Sequence, residues 1–344
     1  VNAGSRPVLD LRSDTITKPT LAMRSAMMAA EVGDAYYDED PSVNALEERL
    51  ALDFGMEAAA FMPSGTMSNQ VALRVLARAG EAVLCSPDNH VVQYETGALA
   101  GINGLQHMPV PLVSAGHVVD IARLPDAIVT PAMRHAPTTA VVAVENTHLR
   151  AGGRTYPIAA LEELKAACLR LGIPLHVDGA RLWHAARVEG IPLARYGAAC
   201  DTLSVCFSKG LGAPVGSALL GSRERIGSAK KVRKMMGGTM RQCGFLAVAA
   251  SFALDAHFAR LDDDHMGARL LARWLADAWP SASVDVPETN IVLARFLDAA
   301  SARACLEGAL TGAGLRLSAL DALTVRGVVH LDVPLEELRA RLGA

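Results

Sequence analysis

Short apolar runs with no inside–outside alternation, each separated from the next by turns or a helical pattern, are the feature that most restricts what this chain can fold into. Residues 58–62, 82–85, 140–145, 175–178, 203–207 and 217–220 read in this way. A strand that is apolar on both faces needs cover on both, and strands separated by helices become parallel neighbours. The pattern therefore specifies an α/β fold with a mostly parallel sheet flanked by helices.

Helical periodicity covers residues 19–30, 45–52 and 158–171, and most of 223–279. A compact tail follows, with a strand at 291–296, a helix at 299–310 and a strand at 325–333. At 344 residues the chain exceeds the roughly 250 to 300 at which single cores stop growing, so two domains are expected. The reading places an amino-terminal arm and large α/β domain in 1–255 and a small carboxy-terminal α/β domain in 256–344. No repeat of domain-building length interrupts it.

Charge excludes some classes of partner. The 33 basic and 36 acidic side chains leave a formal charge of -3, which gives no general attraction to nucleic acid or anionic lipid. The local run Lys230, Lys231, Arg233 and Lys234 is expected as the solvated end of a helix. Six cysteines, without a C-x-x-C pair and mostly in apolar or alanine-rich text, read as buried free thiols in a reducing cytoplasm. No apolar run reaches membrane-spanning length, and the residues after Val1 lack the regions of a signal peptide. The expected location is cytoplasmic, with no membrane partner and no metal.

In a parallel sheet, ligands collect beyond the carboxyl ends of the strands. Asp178 closes one apolar run and Lys209 follows another, Val205-Cys206-Phe207-Ser208. An amine starting in apolar surroundings is more easily neutral and nucleophilic, as imine formation requires. A carboxylate beside a pyridine nitrogen keeps that nitrogen protonated, which makes the ring an electron sink. Together they specify pyridoxal 5'-phosphate. Ser64, Gly65 and Thr66, at a helix start, offer hydroxyls, N–H groups and a positive helix end to its phosphate. Rival phosphate motifs fail, because G-x-x-x-x-G-K-[ST] is absent and Gly210, Gly212 and Gly216 miss the G-x-G-x-x-G spacing by one residue.

Several longer motifs resemble the low-specificity L-threonine aldolase family, fold type I pyridoxal-phosphate enzymes of the aspartate-aminotransferase-like fold. They are Leu9-Asp10-Leu11-Arg12-Ser13-Asp14-Thr15, Val32-Gly33-Asp34 through Tyr37 to Asp40-Pro41, and Pro63-Ser64-Gly65-Thr66-Met67-Ser68-Asn69. Further matches are Glu145-Asn146-Thr147-His148, Asp178-Gly179-Ala180-Arg181, the stretch from Ser208 through Lys209 to Gly216, and Met240-Arg241-Gln242.

The resemblance implies that Lys209 carries the cofactor, Asp178 pairs with its ring nitrogen and His90 stacks on its ring. It implies that Ser64, Gly65, Thr66 and Arg241 meet the phosphate, with Arg241 and Tyr37 as candidates to cross between subunits of a homotetramer built from dimers. Ser13, Arg181 and Arg326 would hold the substrate carboxylate, since arginine binds a carboxylate through two parallel hydrogen bonds; Arg181 could instead pair with an acid. The implied reaction is reversible cleavage of threonine, allo-threonine and related β-hydroxy-α-amino acids to glycine and an aldehyde, with His90, His148 or water as base. Leu149 and Ala98 depart from the family pattern near where a substrate side chain would reach. Two other readings use the same Lys209 and Asp178: a β-eliminating lyase or aminotransferase, and a cofactor-binding protein without turnover.

Overall fold

The computed structural model describes residues 7–113 and 116–343; the first six residues, on which the signal-peptide reading falls, lie outside them. The main sheet contains seven strands, β1 (Ala58–Met62), β2 (Ala82–Cys85), β3 (Gln106–Pro109), β4 (Thr139–Glu145), β5 (Leu175–Gly179), β6 (Thr202–Cys206) and β7 (Ser217–Gly221). Their spatial order is β1-β7-β6-β5-β4-β2-β3. Only β7 runs antiparallel to its neighbours. The mostly parallel sheet expected from the apolar runs is present, with one strand the sequence reading lacked. β3 is the partly exposed edge Gln-His-Met-Pro, which has no apolar run to announce it.

Helices cover both faces: α1 (Leu21–Met28), α2 (Pro41–Asp53), α3 (Gly65–Leu76), α4 (Ile158–Leu171), α5 (Leu182–Glu189), α6 (Arg223–Met235) and α7 (Gly244–Ala256). Local chemistry sets their ends. Asp40 caps α2 by accepting from Val43 N, with Pro41 in the first turn, and Ser64 caps α3 by accepting from Met67 N. Gly172 ends α4 in the left-handed region, at φ 68°, where an L side chain is disfavoured. Fully buried Leu46, Leu50, Phe54, Phe61, Leu161, Leu175 and Phe207 join one large core between helices and sheet. Burial of each such side chain contributes about 1.5 to 3 kcal/mol.

A second core forms around β8 (Ser283–Val284), β9 (Ile291–Arg295), β10 (Ser318–Ala319) and β11 (Thr324–Val328), with α8 (Leu261–Ala278), α9 (Ala299–Gly308) and α10 (Leu335–Leu342) packed on it. Leu9 and Leu11 belong to this core, and Leu9–Asp10 pairs in parallel with Leu315–Arg316. The amino-terminal segment, expected with the large domain, thus packs on the carboxy-terminal one. The predicted last strand also stops early, at Val328, after which the chain turns away.

The basic run closes its helix as expected, with Lys231 and Lys234 exposed, but Lys230 and Arg233 turn inward. α6 lies on β1 and α3, so its residues at helical spacing face inward: Ile226, Ala229 and Arg233 are buried. Arg233 donates to the Phe61 carbonyl, and Lys230 pairs with Asp38 at 2.9 Å and Glu47 at 3.1 Å. All six cysteines are buried and free. Among the described residues no single helix is long and apolar enough to cross a membrane.

Candidate active site

Parallel registration brings three polar strand ends together. Glu145 of β4 lies beside Asp178 of β5, which lies beside Ser204 of β6, and the chain leaves β6 into the turn carrying Lys209. β1 points the same way as β6, since both run antiparallel to β7, so Ser64 and the start of α3 reach the same edge.

Asp178 is 2% exposed. One carboxylate oxygen accepts from Asn69 Nδ2 at 2.8 Å and the other from the Ala180 N–H at 3.0 Å. Burial alone would neutralise it. The positive charges of His90 and Lys209, followed by His176 and the Asn69 hydrogen bond, outweigh that and hold its pKa below the usual carboxylate value. His176 donates to Asn69 Oδ1 at 3.2 Å and so orients the amide.

Asn69 Nδ2 also reaches Glu95 Oε1 at 2.9 Å, which accepts from His90 Nδ1 at 2.9 Å; Gln70 holds the other Glu95 oxygen at 2.6 Å. Partial burial works against a charged His90. The Glu95 hydrogen bond and the nearby Asp178 and Glu145 carboxylates win, and its pKa is raised. His90, Glu95 and Asp178 each offer an atom within 4.8 Å of the others. With Nδ1 donating to Glu95, the lone pair of neutral His90 lies on Nε2.

His148 has the opposite polarity. Its Nδ1 accepts from the Ala151 N–H at 3.2 Å, so neutral His148 carries its proton on Nε2, which is buried without a partner among the described residues. The expectation of His148 as base is corrected on this ground, since the nitrogen left over is a donor.

Arg181 pairs with an acid, the alternative the sequence left open. Its Nε and one Nη bond the two oxygens of buried Asp14, at 2.7 and 2.6 Å, which leaves the end-on edge formed by its two Nη groups for another acceptor. Although burial opposes the charge on both, their mutual attraction wins, holding Asp14 well below and Arg181 above their ordinary ranges. Arg326 is electrostatically close to Arg181, Asp14 and Tyr94; burial and then the Arg181 charge lower its pKa. It donates one Nη to the Arg12 carbonyl at 3.0 Å, while its buried Nε has no partner among the described residues. Two guanidiniums thus lie in the field of one acid, and Arg326 keeps a donor that no described residue accepts from.

Ser13 precedes Asp14, with its Oγ accepting from Thr15 N at 3.2 Å. The Lys209 carbonyl accepts from Thr17 Oγ1 at 3.2 Å and from the Gly212 N–H at 2.8 Å. Tyr37 and Arg241 are exposed and do not join the Lys209 group within one chain: Tyr37 packs on Tyr36, and Arg241 pairs with Asp34 at 3.1 Å above the Tyr36 ring.

The donor set fits pyridoxal phosphate: an amine, a buried ionised acid, and the Gly65 and Thr66 N–H groups at the capped start of a twelve-residue helix. Asn69, Gln70, Glu95, Glu145, Asp14 and His176 carry much of the site, yet the sequence reading assigned them no role. Asn69, Asp14 and Glu145 lay inside the motifs, but only the fold shows which side chains they meet.

This sheet, with a lysine and an acid at its strand ends and a second α/β unit beside it, has the architecture of fold type I pyridoxal-phosphate enzymes. A sequence model of the beta-eliminating lyase family matches residues 10–299. The chain is 38% identical over 339 residues to low-specificity L-threonine aldolase 1 of Arabidopsis thaliana, covering 97% of this chain and 94% of that one. It is 38% identical over 337 residues to the low specificity L-threonine aldolase of Escherichia coli K12, covering 96% of each. The solved threonine aldolase of Leishmania major aligns at TM-score 0.81 and 19% identity over 97% of both chains. The chain belongs to the low-specificity L-threonine aldolase family of beta-eliminating lyases.

Proposed function

We propose that this protein cleaves L-threonine, L-allo-threonine and related β-hydroxy-α-amino acids reversibly to glycine and an aldehyde, using pyridoxal 5'-phosphate. Lys209 would hold the cofactor covalently, Asp178 its ring nitrogen, His90 its ring face, and Ser64, Gly65 and Thr66 its phosphate, with Arg241 reaching the phosphate from a partner subunit. When bound, the group supplies an electron sink for the electron pair left on Cα.

The chain's own residues supply orientation and proton movement. Arg326, with Arg181 and Ser13 beside it, receives the substrate carboxylate; Tyr37 approaches from a partner subunit. This fixes the amino acid by its charged end and leaves the β-carbon toward His90. His90 takes the β-hydroxyl proton at Nε2, and Glu95 stabilises the resulting imidazolium through Nδ1. His148 donates from Nε2. The observation that carries the reading is the pair of guanidiniums, Arg181 and Arg326, around the single buried acid Asp14, in a site where Asp178 is held ionised.

The exposed apolar side chains Leu21, Met28, Tyr37, Met235 and Phe245 support assembly into dimers and a homotetramer, with active sites at the dimer interface. We read the chain as two lobes dividing near residue 255, bridged by the amino-terminal segment, and as a cytoplasmic enzyme. The test is aldehyde release, coupled to a reductase, from the four threonine stereoisomers and phenylserine. Acetaldehyde with equimolar glycine from threonine is expected. Release of ammonia and a 2-oxo acid instead would replace this reading with β-elimination.

A further inference from the structure

Behind the Lys209 turn lies a buried group of titratable side chains that the reaction above leaves unused. His184 on α5 and His265 on α8 meet Nδ1 to Nε2 at 3.0 Å, each 2% exposed. His184 Nε2 has no partner among the described residues and lies against Gly210, where an added methyl group would collide with it. Asp264, 1% exposed, pairs with Arg260 through one oxygen, and its other oxygen has no partner among the described residues. Arg260 Nη1 in turn donates to the Gly210 carbonyl at 3.4 Å. The adjoining Leu211 carbonyl is held by His257 Nδ1 at 2.7 Å.

We infer that Arg260 and Asp264, with His184 backed by His265, are positioning residues that set the conformation of the turn presenting the Lys209 amine. Inside the turn the Gly212 N–H donates to the Lys209 carbonyl at 2.8 Å and the Ala213 N–H to the Phe207 carbonyl at 3.0 Å, while the Gly210 and Leu211 carbonyls find no backbone donor among the described residues. Its peptide carbonyls end on side chains from outside: Lys209 on Thr17, Gly210 on Arg260, Leu211 on His257. Rotation of the Gly210 peptide would move the adjoining Lys209 Cα, and the close approach of His184 leaves that peptide no room on one side. Arg260, Asp264 and His265 come from α8 and its cap, so that helix, together with His184 of α5, grips the lysine turn.

This grip is sensitive to pH. Burial pushes the Asp264 carboxyl up to about 7 against the pull of Arg260. The charged groups acting on it are Arg260 and Asp263 from its own helix and cap and Asp14 from the amino-terminal segment; the neighbouring His184 and His265 also feel Arg181, Arg187, Asp262 and Arg269. Burial lowers His265 to about 4 and His184 well below its usual value. Asp14 and Arg181 neutralise each other, and Arg187 is matched by Asp262 at 2.6 Å. Asp264 is therefore the member of this group that titrates near neutrality. Ionised, it fixes the Arg260 guanidinium by a charge-assisted hydrogen bond; protonated, it holds it less firmly.

The inference rests on Lys209 being the amine that takes the cofactor, so its first readout is made without cofactor. Hydrogen-exchange protection factors for residues 208–213 are measured on the full chain stripped of cofactor, at about pH 6 and about pH 8, either side of the Asp264 midpoint. Pyridoxal phosphate affinity is then measured by visible absorbance. The parent should show protection higher by about tenfold at the higher pH, the scale of one hydrogen bond to a charged group. Asp264→Asn should abolish the difference. Arg260→Ala should lower protection and cofactor affinity about tenfold, with Arg260→Lys restoring part of each.

If Arg260→Ala does not fold by circular dichroism, Asp264→Asn, which removes a charge and almost no volume, decides alone. Asp264→Asn that keeps the parent's pH difference overturns the inference. A parent that binds no pyridoxal phosphate overturns the cofactor reading instead, and the exchange result still judges the turn.

Discussion

Arg326 and Arg181 lie in each other's field with one buried acid, Asp14, to neutralise them, which separates two roles the motifs alone could not. Arg326→Lys keeps the charge and loses the planar fork, so KM for threonine should rise by about 10- to 100-fold with kcat changed much less, as steady-state kinetics will show. Arg181→Lys should instead lower stability, because breaking a buried pair typically costs about 3 to 5 kcal/mol; denaturant unfolding reads it.

His90 is the second residue with a distinct signature. It must be neutral at Nε2 to accept a proton, so kcat/KM should fall as pH drops through its raised pKa. Glu95→Gln removes a charge that raises it and should move this acid limb to lower pH by about 1 unit. A limb that stays in place assigns the base elsewhere.

Elements were legible in the sequence where burial is two-sided. The runs at 58–62, 140–145, 175–178 and 203–207 announced their strands to within a residue because a strand under helices on both faces must be apolar throughout. Gln106–Pro109 stayed invisible because an edge strand carries no such requirement, and α6 was misread in part because basic composition hid an inward stripe. Asp178 and Lys209 were readable from strand ends, whereas the Asn69–Glu95–His90 chain joins three segments that only the fold brings together.

The tight approach of β5 to β6 gives a test at this scale. A Cβ on Gly179 would lie 2.5 Å from the Ser204 carbonyl oxygen, a backbone atom with little freedom. Gly179→Ala should therefore cost about 1 to 3 kcal/mol in unfolding free energy and weaken cofactor binding by displacing adjacent Asp178. Gly227→Ala, with nothing within 4 Å, is the control and should be neutral or slightly stabilising.

Across the whole molecule, buried titratable groups oppose one another and set the pH of greatest stability. His176 and His265, lowered to about 4, and His184, lowered well below its ordinary value, bind fewer protons folded than unfolded, so each makes stability rise with pH toward the ordinary histidine value of 6.5. Asp264, raised from 3.8 to about 7, binds more protons folded, so its contribution falls across that interval. Three histidines against one aspartate leave a net rise up to about pH 6.5. Above it the histidine contributions are complete, while Asp264 and the raised His90 still lose protons later in the folded chain, so stability declines. Asp14, held low by Arg181, acts only at the acid end, where stability is lost as pH falls through its depressed pKa. Urea unfolding of the loaded protein from about pH 4 to about pH 8 should therefore give a maximum near 6.5. Asp264→Asn should steepen the rising limb, because the single opposing proton is removed; an unchanged slope would show that Asp264 keeps its ordinary pKa in the folded chain.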